Sequence, residues 1–292
     1  MANKILIIGS QGSLGQDLVH VFERDMNWEV FAYDRDQVDI ISEDGLRKKV
    51  EDVQPDAVIN ATGYNAVDKC ETDEIEYELA KKVNGYGPGM LAKICKEKDI
   101  PLVHYVSDYI FDGEKGEYLE TDKPNPISNY GRSKLLGEDE IKKNTDKFYL
   151  IRTSKLFGKA GKSETSKKSF FETMIALAKD NPVLKIVDDE KSCFTYTPDL
   201  ALETKKMIEE NIPFGTYHIV NEGACTWYEA ALQLFKLTKM DVEVIPVSSA
   251  EFPRPAKRPK ASVLLNTKLK PLRDYKEALR EYLSESGTGN RE

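Results

Sequence analysis

Tyr130 and Lys134 form the pair of residues in this chain that is best suited to acid–base chemistry. The surrounding segment, Ser128–Lys143, has helical character, and side chains four positions apart lie on one face of a helix. A phenol has a pKa of about 10, and a nearby ammonium group lowers that pKa by stabilising the phenolate. The pair is therefore predicted to exchange a proton with a carbonyl or an alcohol.

The chain contains a second Tyr-x-x-x-Lys pair, Tyr77 and Lys81, so the pattern alone does not identify a catalytic site. Tyr130 follows a buried-looking strand that ends at Ser107, whose hydroxyl is expected to hydrogen-bond the reacting oxygen. Tyr77 has no comparable hydroxyl residue at the end of a preceding strand. We therefore predict that Ser107, Tyr130 and Lys134 are catalytic, and that Tyr77 and Lys81 lie on a solvated helix face.

A glycine-rich loop connects the first predicted strand to the first predicted helix. Glycine there permits a tight turn, close approach of the backbone to a pyrophosphate, and close packing of the helix on the sheet. The pyrophosphate then lies at the positively polarised N-terminus of the helix. The loop is predicted to bind a dinucleotide through Gly9, Gln11, Gly12, Ser13, Leu14 and Gly15.

Two adjacent charges, Asp34 and Arg35, end the second predicted strand. An acid at this place usually binds the adenosine ribose hydroxyls and favours NADH, whereas an arginine suits the 2′-phosphate of NADPH. The two residues indicate different cofactors, so NADPH and NADH both stay open. Alternatively, Asp34 is a solvated charge in a loop and does not contact the cofactor. Asp39 and Ile40 are included in the predicted cofactor site.

The first half of the chain alternates apolar runs with segments of helical periodicity. Predicted strands lie at 4–8, 29–33, 57–61, 102–107 and 148–153, and predicted helices at 14–24, 45–53, 74–98 and 128–143. Continuous apolar runs such as ILII and AVINA are typical of strands buried on both faces. The pattern predicts an α/β fold with a Rossmann-type, doubly wound parallel sheet. Gly85, Gly87, Pro88 and Gly89 are expected to interrupt the helix at 74–98.

The second half is less regular and predicts a smaller C-terminal α/β substrate lobe. Predicted helices lie at 168–179, 198–210, 226–238 and 274–283, and predicted strands at 216–220 and 242–247. We expect a dinucleotide-binding domain at 1–152, to which a segment at about 185–220 returns. The substrate lobe is expected at 153–184 and 221–284, followed by a disordered tail at 285–292.

Composition and charge exclude several classes of protein. The 292 residues are 40% hydrophobic, which provides a sizeable core and argues against a disordered chain. A net charge of −8 argues against nucleic acid or an anionic membrane as the main partner. No apolar run approaches the roughly 18 residues that span a bilayer, and the first apolar stretch is too short for a signal peptide.

The cysteines and histidines indicate no metal site. The four cysteines include no C-x-x-C pair, which predicts reduced thiols in a cytoplasmic protein and argues against a zinc site. His104 and His218 lie in apolar, strand-like runs and are expected in the core or at a sheet edge.

The glycine loop, Ser107 and the Tyr130/Lys134 pair together resemble the extended short-chain dehydrogenases/reductases. The finer motifs resemble the dTDP-4-dehydrorhamnose reductase family. The matching stretches follow in order along nearly the whole chain: NATGYNAVDKCE, VSDYIFDG, NPISNYGRSKLLGE, LIRTSKLFG, TWYEAA and RPKASVLLNTKL. The resemblance implies an NAD(P)H-dependent oxidoreductase that reduces a nucleotide-linked 4-keto-6-deoxy sugar, with a role in dTDP-rhamnose and polysaccharide biosynthesis.

The resemblance also implies roles for individual residues. Tyr130 gives a proton to the C4 oxygen of the sugar, Lys134 positions the nicotinamide ribose, and Ser107 orients the carbonyl. Three residues after the third strand line the cofactor path: Ala61, Thr62 and Gly63. Arg258 is expected near the nucleotide diphosphate, and the substrate side is completed by Asn65, Val67, Asp108, Tyr109 and Lys155.

Several positions depart from the family pattern. Lys155 stands where the family usually has Trp, and Gly63 and Asn65 stand where it usually has Ala and Thr. The family's D-Q-x-G-S-P-T run reads DEKSCFT at 189–195. These changes fall near the expected sugar pocket, so the preferred substrate is expected to differ from dTDP-4-dehydrorhamnose, or that sugar to bind weakly. Alternatively, Lys155 is an ordinary surface lysine, and PRPAKRPK at 253–260 is a basic surface loop.

Two other functions stay open from the sequence alone. An epimerase or dehydratase of the same superfamily would recycle its nicotinamide within each turnover, so net consumption of NAD(P)H discriminates it from a reductase. A non-catalytic subunit resembling the beta subunit of methionine adenosyltransferase would co-purify with a larger catalytic partner. The sequence does not give the oligomeric state, for which a homodimer is considered.

Overall fold

The computed structural model describes residues 2–163 and 166–287. Its strands are β1 (Asn3–Ile8), β2 (Trp28–Tyr33), β3 (Ala57–Asn60), β4 (Leu102–Ser107), β5 (Gly116–Tyr118), β6 (Phe148–Thr153), β7 (Leu156–Phe157), β8 (Val183–Val187), β9 (Lys191–Ser192), β10 (Thr195–Tyr196), β11 (Gly215–His218), β12 (Cys225–Thr226), β13 (Glu243–Val247) and β14 (Ser262–Leu264). Its α-helices are α1 (Ser13–Glu23), α2 (Glu43–Val53), α3 (Lys69–Thr72), α4 (Glu74–Lys81), α5 (Gly87–Glu97), α6 (Asn129–Asn144), α7 (Phe170–Ala178), α8 (Thr197–Glu209), α9 (Trp227–Thr238) and α10 (Tyr275–Glu285).

Six parallel strands form the central sheet, in the order β2-β1-β3-β4-β6-β11. Helices connect the successive strands, which is the βαβ arrangement expected for a parallel sheet. The predicted α/β class with a Rossmann-type parallel sheet is confirmed. The predicted tail begins at Glu285, which the structure instead places in the last turn of α10, and residues 288–292 lie outside the described part of the chain.

Both faces of this sheet are buried. Side chains alternate along β1, so that Leu6 and Ile8 pack on one face with residues of α2, α5 and α6. Ile5 and Ile7 pack on the opposite face with residues of α1 and α8. All four are at most 1% exposed, which explains why the strand reads as a continuous apolar run. Among the described residues, no helix is both long enough and apolar enough to cross a membrane.

A third apolar cluster lies outside the central sheet. It joins aromatic residues that follow β6, such as Phe157, Phe171 and Phe194, to the apolar faces of α9 and α10. Beside it, β8 and β13 form a separate parallel pair that the sequence analysis anticipated only for β13. Two residues of this cluster, Phe194 and Trp227, lie against Lys155, which belongs to the candidate site described below.

The glycines at 85–89 do not interrupt the helical path, contrary to the prediction. The backbone passes from α4 through a π-helical turn, Lys82–Tyr86, directly into α5. A Cβ atom on Gly85 would lie 2.5 Å from the Leu136 side chain, and one on Gly89 would lie 2.7 Å from Cβ of Glu140. Gly85 and Gly89 therefore serve the close packing of this helix against α6, a requirement that local helix propensity does not reveal.

A buried ion pair links α6 to the central sheet. Arg152 on β6 donates from Nε to Oε2 of Glu138 at 3.0 Å, and its second terminal nitrogen lies 2.5 Å from Oε1. The two side chains are 2% and 1% exposed. A further guanidinium nitrogen donates to the Glu120 carbonyl oxygen at 3.2 Å. Because α6 carries Tyr130 and Lys134, this pair helps to hold the predicted catalytic helix in place.

We expect Glu138→Ala to lower the free energy of unfolding by about 3–5 kcal/mol, because the substitution leaves the Arg152 guanidinium buried without its partner. Chemical denaturation monitored by circular dichroism measures this loss. Lys143→Ala is the control, since it breaks an exposed pair with Glu140 and is expected to cost at most about 0.5 kcal/mol. Equal losses in the two variants would contradict the prediction.

Candidate active site

The glycine loop between β1 and α1 forms a cradle that side chains would fill. Gly9 has a φ of +85°, and a Cβ there would lie 2.9 Å from the carbonyl carbon of Ala61. A Cβ on Gly15 would lie 2.0 Å from the Gly9 carbonyl oxygen. Gly12, which precedes α1, supplies no side-chain cap, so the first N–H groups of the helix are available to an anion. The cradle therefore fits the diphosphate of a dinucleotide.

A segment that the sequence analysis did not predict, Lys159–Ser163, lies against this loop. The Lys162 N–H donates to the Gln11 carbonyl oxygen at 2.8 Å. The Ser13 hydroxyl donates to the Lys159 carbonyl oxygen at 2.8 Å. The segment follows β7, so residues remote in sequence form one wall of the glycine cradle.

Asp34 and Arg35 occupy different positions at the end of β2. The Asp34 carboxylate accepts hydrogen bonds from the Gln11 N–H at 2.8 Å and the Arg35 N–H at 2.7 Å. It therefore braces the glycine loop. The Arg35 side chain is 71% exposed and lies 3.8 Å from the Asp39 carboxylate. Ile40 is buried, and its carbonyl oxygen lies against Gly87.

The residues after β3 connect the glycine cradle to Lys134. The Ala61 N–H donates to the Ile8 carbonyl oxygen at 2.8 Å. Thr62 donates to the Asn60 side chain from both its N–H, at 3.1 Å, and its hydroxyl, at 2.6 Å. A Cβ on Gly63 would lie 3.0 Å from Nζ of Lys134. The predicted cofactor path and the predicted catalytic lysine therefore adjoin.

Tyr130 is buried at the carboxyl edge of the sheet beside Ser107 and Asn65. Its hydroxyl donates to Oδ1 of Asn65 at 3.3 Å. Burial raises the pKa of Tyr130, and the neighbouring polar side chain of Ser107 only partly offsets this effect. The prediction of a lowered phenol pKa is therefore wrong. A raised pKa keeps the phenol protonated at neutral pH, as a proton donor requires.

Lys134 lies one turn along α6 from Tyr130 and is only 6% exposed. Burial lowers its pKa to about 8. His104 lies beneath it and stays neutral, because burial and the charge of Lys134 lower the pKa of His104 to about 3. Lys134 thus carries most of its charge at neutral pH and faces an uncharged imidazole.

Asn84, in the π-helical turn, is a positioning residue that the sequence analysis missed. Its side-chain amide donates to Ser133 Oγ and to the Tyr64 carbonyl oxygen, both at 3.0 Å. Ser133 in turn donates to the Tyr130 carbonyl oxygen at 2.7 Å. Asn84 is flanked by Val83 and Gly85, and nothing in these neighbours distinguishes it as a buried positioning residue.

The predicted substrate residues lie on two sides of Tyr130. The rings of Tyr109 and Tyr130 meet edge to face with centroids 5.6 Å apart, and Val67 packs in the same small apolar cluster. Asp108 is buried and accepts from the Ser107 hydroxyl at 3.2 Å and from the Ser262 hydroxyl at 2.6 Å. Burial raises the pKa of the Asp108 carboxyl despite these hydroxyl partners.

Arg258 and Lys155 are both turned inward. Two terminal nitrogens of Arg258 each lie 2.7 Å from the Asp68 carboxylate, in a bidentate pair that the sequence analysis did not predict. The alternative of a plain surface lysine is wrong for Lys155, because its Nζ is buried against the Trp227 ring. Among residues 2–163 and 166–287, no group of three or more His, Cys, Asp and Glu side chains is arranged to hold a metal ion.

A parallel sheet with a glycine cradle at its carboxyl edge, next to a Ser–Tyr–Lys set, defines an NAD(P)-dependent oxidoreductase of the Rossmann type. Residues 3–287 match the family model described as RmlD substrate binding domain, and the chain belongs to this family. The resemblance drawn from the sequence motifs is thereby confirmed.

Individual relatives agree with this assignment. The spore coat polysaccharide biosynthesis protein SpsK from Bacillus subtilis is 33% identical over 287 residues, with 97% of each chain covered. A dTDP-4-dehydrorhamnose reductase from Bacillus anthracis, solved in complex with NADP, has a TM-score of 0.91 at 31% identity, covering 98% of this chain and 100% of the other. A dTDP-4-dehydrorhamnose reductase from Clostridium acetobutylicum has a TM-score of 0.90 at 39% identity, covering 97% and 99%.

We expect Gly12→Ala to weaken NADPH binding by about tenfold or more while the thermal midpoint changes little. A Cβ at Gly12 meets only ordinary contact within the protein, 3.5 Å from the Gly9 oxygen, so its main effect is on the approach of the diphosphate. Isothermal titration calorimetry measures the Kd. Gly15→Ala is the matched comparison, since its Cβ would meet backbone at 2.0 Å and destabilise the fold itself. Unchanged NADPH affinity in Gly12→Ala would contradict the assignment of the cradle.

Proposed function

We propose that this chain reduces the C4 ketone of a nucleotide-linked 4-keto-6-deoxy sugar, with NADPH as the preferred cofactor. The observation that carries the proposal is the placement of the buried Tyr130 hydroxyl beside Ser107, with Lys134 and the glycine cradle adjoining. The relatives named as dTDP-4-dehydrorhamnose reductases support the substrate class.

The proposed mechanism assigns one task to each catalytic side chain. Ser107 and Tyr130 hydrogen-bond the ketone oxygen and polarise the carbonyl. A bound nicotinamide supplies the hydride that reaches C4. Tyr130 gives its phenolic proton to the developing alkoxide, and the Lys134 ammonium, one helical turn away, stabilises the phenolate that remains. Asn65, which accepts from the Tyr130 hydroxyl, holds the phenol in position until the ketone binds.

The two charged residues after β2 favour NADPH. The Asp34 carboxylate already accepts two backbone hydrogen bonds, whereas the Arg35 guanidinium is exposed and only loosely paired. Guanidinium binds phosphate oxygens in a bidentate manner, so Arg35 suits the 2′-phosphate. The relative solved in complex with NADP supports the same cofactor.

We further propose that the cofactor occupies the domain at 1–152, and that the sugar occupies the lobe at 153–184 and 221–284. The pairing of β11 with β6 supports the return of the chain near 185–220 to the central sheet. The buried free thiols of all four cysteines support a cytoplasmic location. Two statements stay predictions: that the chain has no nucleic-acid partner, and that it forms a homodimer. Light scattering measures the oligomeric state.

The experiment that tests the function follows NAD(P)H oxidation with a panel of dTDP-, UDP-, GDP- and CDP-linked 4-keto-6-deoxy sugars. The proposal expects stoichiometric consumption of NADPH with at least one of them. An epimerase or dehydratase would convert the sugar without net consumption. A binding subunit would leave both the sugar and the cofactor unchanged, and either result would overturn the proposal.

We expect Tyr130→Phe to lower kcat by about 10²–10⁴-fold, because the proton donor is removed. The Kd for NADPH should stay within about twofold, since the glycine cradle is intact. The matched control is Tyr77→Phe in the second Tyr-x-x-x-Lys pair. Tyr77 is partly buried against the apolar cluster of Tyr130 rather than on the predicted solvated face, and the substitution keeps this packing, so full activity is expected. Steady-state kinetics and fluorescence titration provide the two measurements. More than about a tenth of wild-type activity in Tyr130→Phe would show that Tyr130 is not the acid.

We expect Arg35→Ala to raise the Kd for NADPH by about 10–100-fold, since a hydrogen bond to a charged group contributes about 1.5–3 kcal/mol. The Kd for NADH should change by less than about twofold, because NADH lacks the 2′-phosphate. Arg24→Ala, at the far end of α1, is the control and should affect neither cofactor. Equal losses for NADPH and NADH would show that Arg35 does not contact the 2′-phosphate.

A further inference from the structure

Lys155 places a buried ammonium group next to the candidate active site. The residue lies in the turn between β6 and β7 with a φ of +39°, which is an unusual conformation for a residue with a side chain. Its Nζ is buried and has no hydrogen-bond partner in the part of the chain that the structure describes. A buried ammonium with three unused donors is costly, so the site favours a ligand that accepts from it.

Two aromatic rings surround the ammonium. Nζ lies 3.8 Å from the centroid of the Trp227 ring and 4.9 Å from that of Phe194. The Trp227 indole N–H donates to Oε2 of Glu190 at 3.1 Å, and Arg254 contacts the other carboxylate oxygen. Cation–π attraction and the orientation of the indole therefore hold the ammonium in place without using its N–H donors.

Lys155 also lies near the reacting hydroxyls in the fold. Lys155 lies two residues after Thr153, which pairs with Ser107 where β6 and β4 run side by side, and the neighbouring Asp108 carboxylate accepts from the Ser107 hydroxyl at 3.2 Å. Lys155 therefore belongs to the surroundings of the Ser107–Tyr130 pair, where a bound ketone would lie.

The charges around Lys155 decide which kind of ligand group fits. Asp108 and Glu190 both act electrostatically on the ammonium. A ligand carboxylate would place a further acidic group beside Glu190 and the buried Asp108 carboxyl, whereas a neutral hydroxyl oxygen accepts from the ammonium without crowding acids together. The surroundings thus favour a hydroxyl group.

We propose that Lys155 is a specificity-determining residue that donates a hydrogen bond to a ring hydroxyl of the sugar. The inference rests on the proposed function and deepens it, because it names the feature of the 4-keto-6-deoxy sugar that the site selects. Trp227 and Glu190 are the positioning residues of this subsite, since they act by holding the ammonium rather than by contacting the sugar.

The test compares Lys155→Met with wild type on the nucleotide-linked 4-keto-6-deoxy sugar and on analogues that lack one ring hydroxyl, at C2 or at C3. Methionine keeps an unbranched stem and removes the charge. We expect KM to rise about tenfold or more with the parent sugar while kcat changes by less than about threefold, as for a lost hydrogen bond to a charged group. With one of the two analogues, the KM of the variant should be about the same as the KM of wild type.

Two controls separate specificity from structure. Lys185→Met removes an exposed lysine on β8 and should leave all constants unchanged. The Kd for NADPH should be the same in Lys155→Met as in wild type. An unchanged KM, or an equal loss with the parent sugar and with both analogues, would overturn the inference.

A binding measurement distinguishes this inference from the proposed function. In a Trp28→Phe background, Trp227 is the remaining tryptophan, and its emission reports on ligands that reach Lys155. If wild type turns over no sugar of the panel, the proposed function fails. A nucleotide sugar that still changes Trp227 emission, with a weaker Kd in Lys155→Met, supports the subsite. No response, or equal affinity in both proteins, contradicts it.

Discussion

Close backbone contact between α6 and its neighbours is the constraint on which the active site depends. A Cβ on Gly137 would lie 2.1 Å from the Asn84 carbonyl oxygen, and one on Gly131 would lie 2.2 Å from the Tyr109 carbonyl oxygen. Only glycine permits these approaches, and α6 carries both Tyr130 and Lys134. The same contacts bring Asn84 within reach of Ser133, which links it to the Tyr130 backbone. The packing of one helix therefore sets the distance between the proton donor and the edge of the sheet.

Burial at this edge also determines the charge states of the catalytic groups. It raises the pKa of Tyr130 and lowers that of Lys134 to about 8. The phenol is thus protonated and the ammonium is mostly charged at neutral pH. This is the combination that a reduction requires, because the proton donor must hold its proton until negative charge develops on the ketone oxygen. A neighbouring cation then acts on the phenolate that forms, rather than on the resting phenol.

Local patterns predicted the sheet and the identity of the central site residues. Alternating apolar runs and helical periodicity give the strand positions, and the carboxyl ends of parallel strands meet at one edge, where Ser107 and the glycine loop lie. The unbroken helical path at 82–89 was not predictable, since Gly85 and Gly89 allow close packing against α6, a contact that their own sequence neighbours do not reveal.

Contacts between distant segments explain what else the sequence did not reveal. Lys162 lies far along the chain from Gln11, and Arg258 far from Asp68, yet each pair is hydrogen-bonded. The inward direction of Lys155 depends on Trp227 and Phe194, which come from two later segments. From the sequence alone, a lysine or an arginine is usually expected on the surface. Only the folded chain shows which of these charged residues are buried.

The central claim is that the chain transfers a hydride to C4 of a nucleotide-linked sugar and completes the reduction with a proton from Tyr130. The most direct test uses NADPH that carries deuterium in the transferable position at C4 of the nicotinamide, followed by NMR of the sugar product. The account predicts one deuterium at C4 of the sugar for each NADPH consumed. A product that carries no deuterium at C4, formed while the NADPH remains unconsumed, would contradict it.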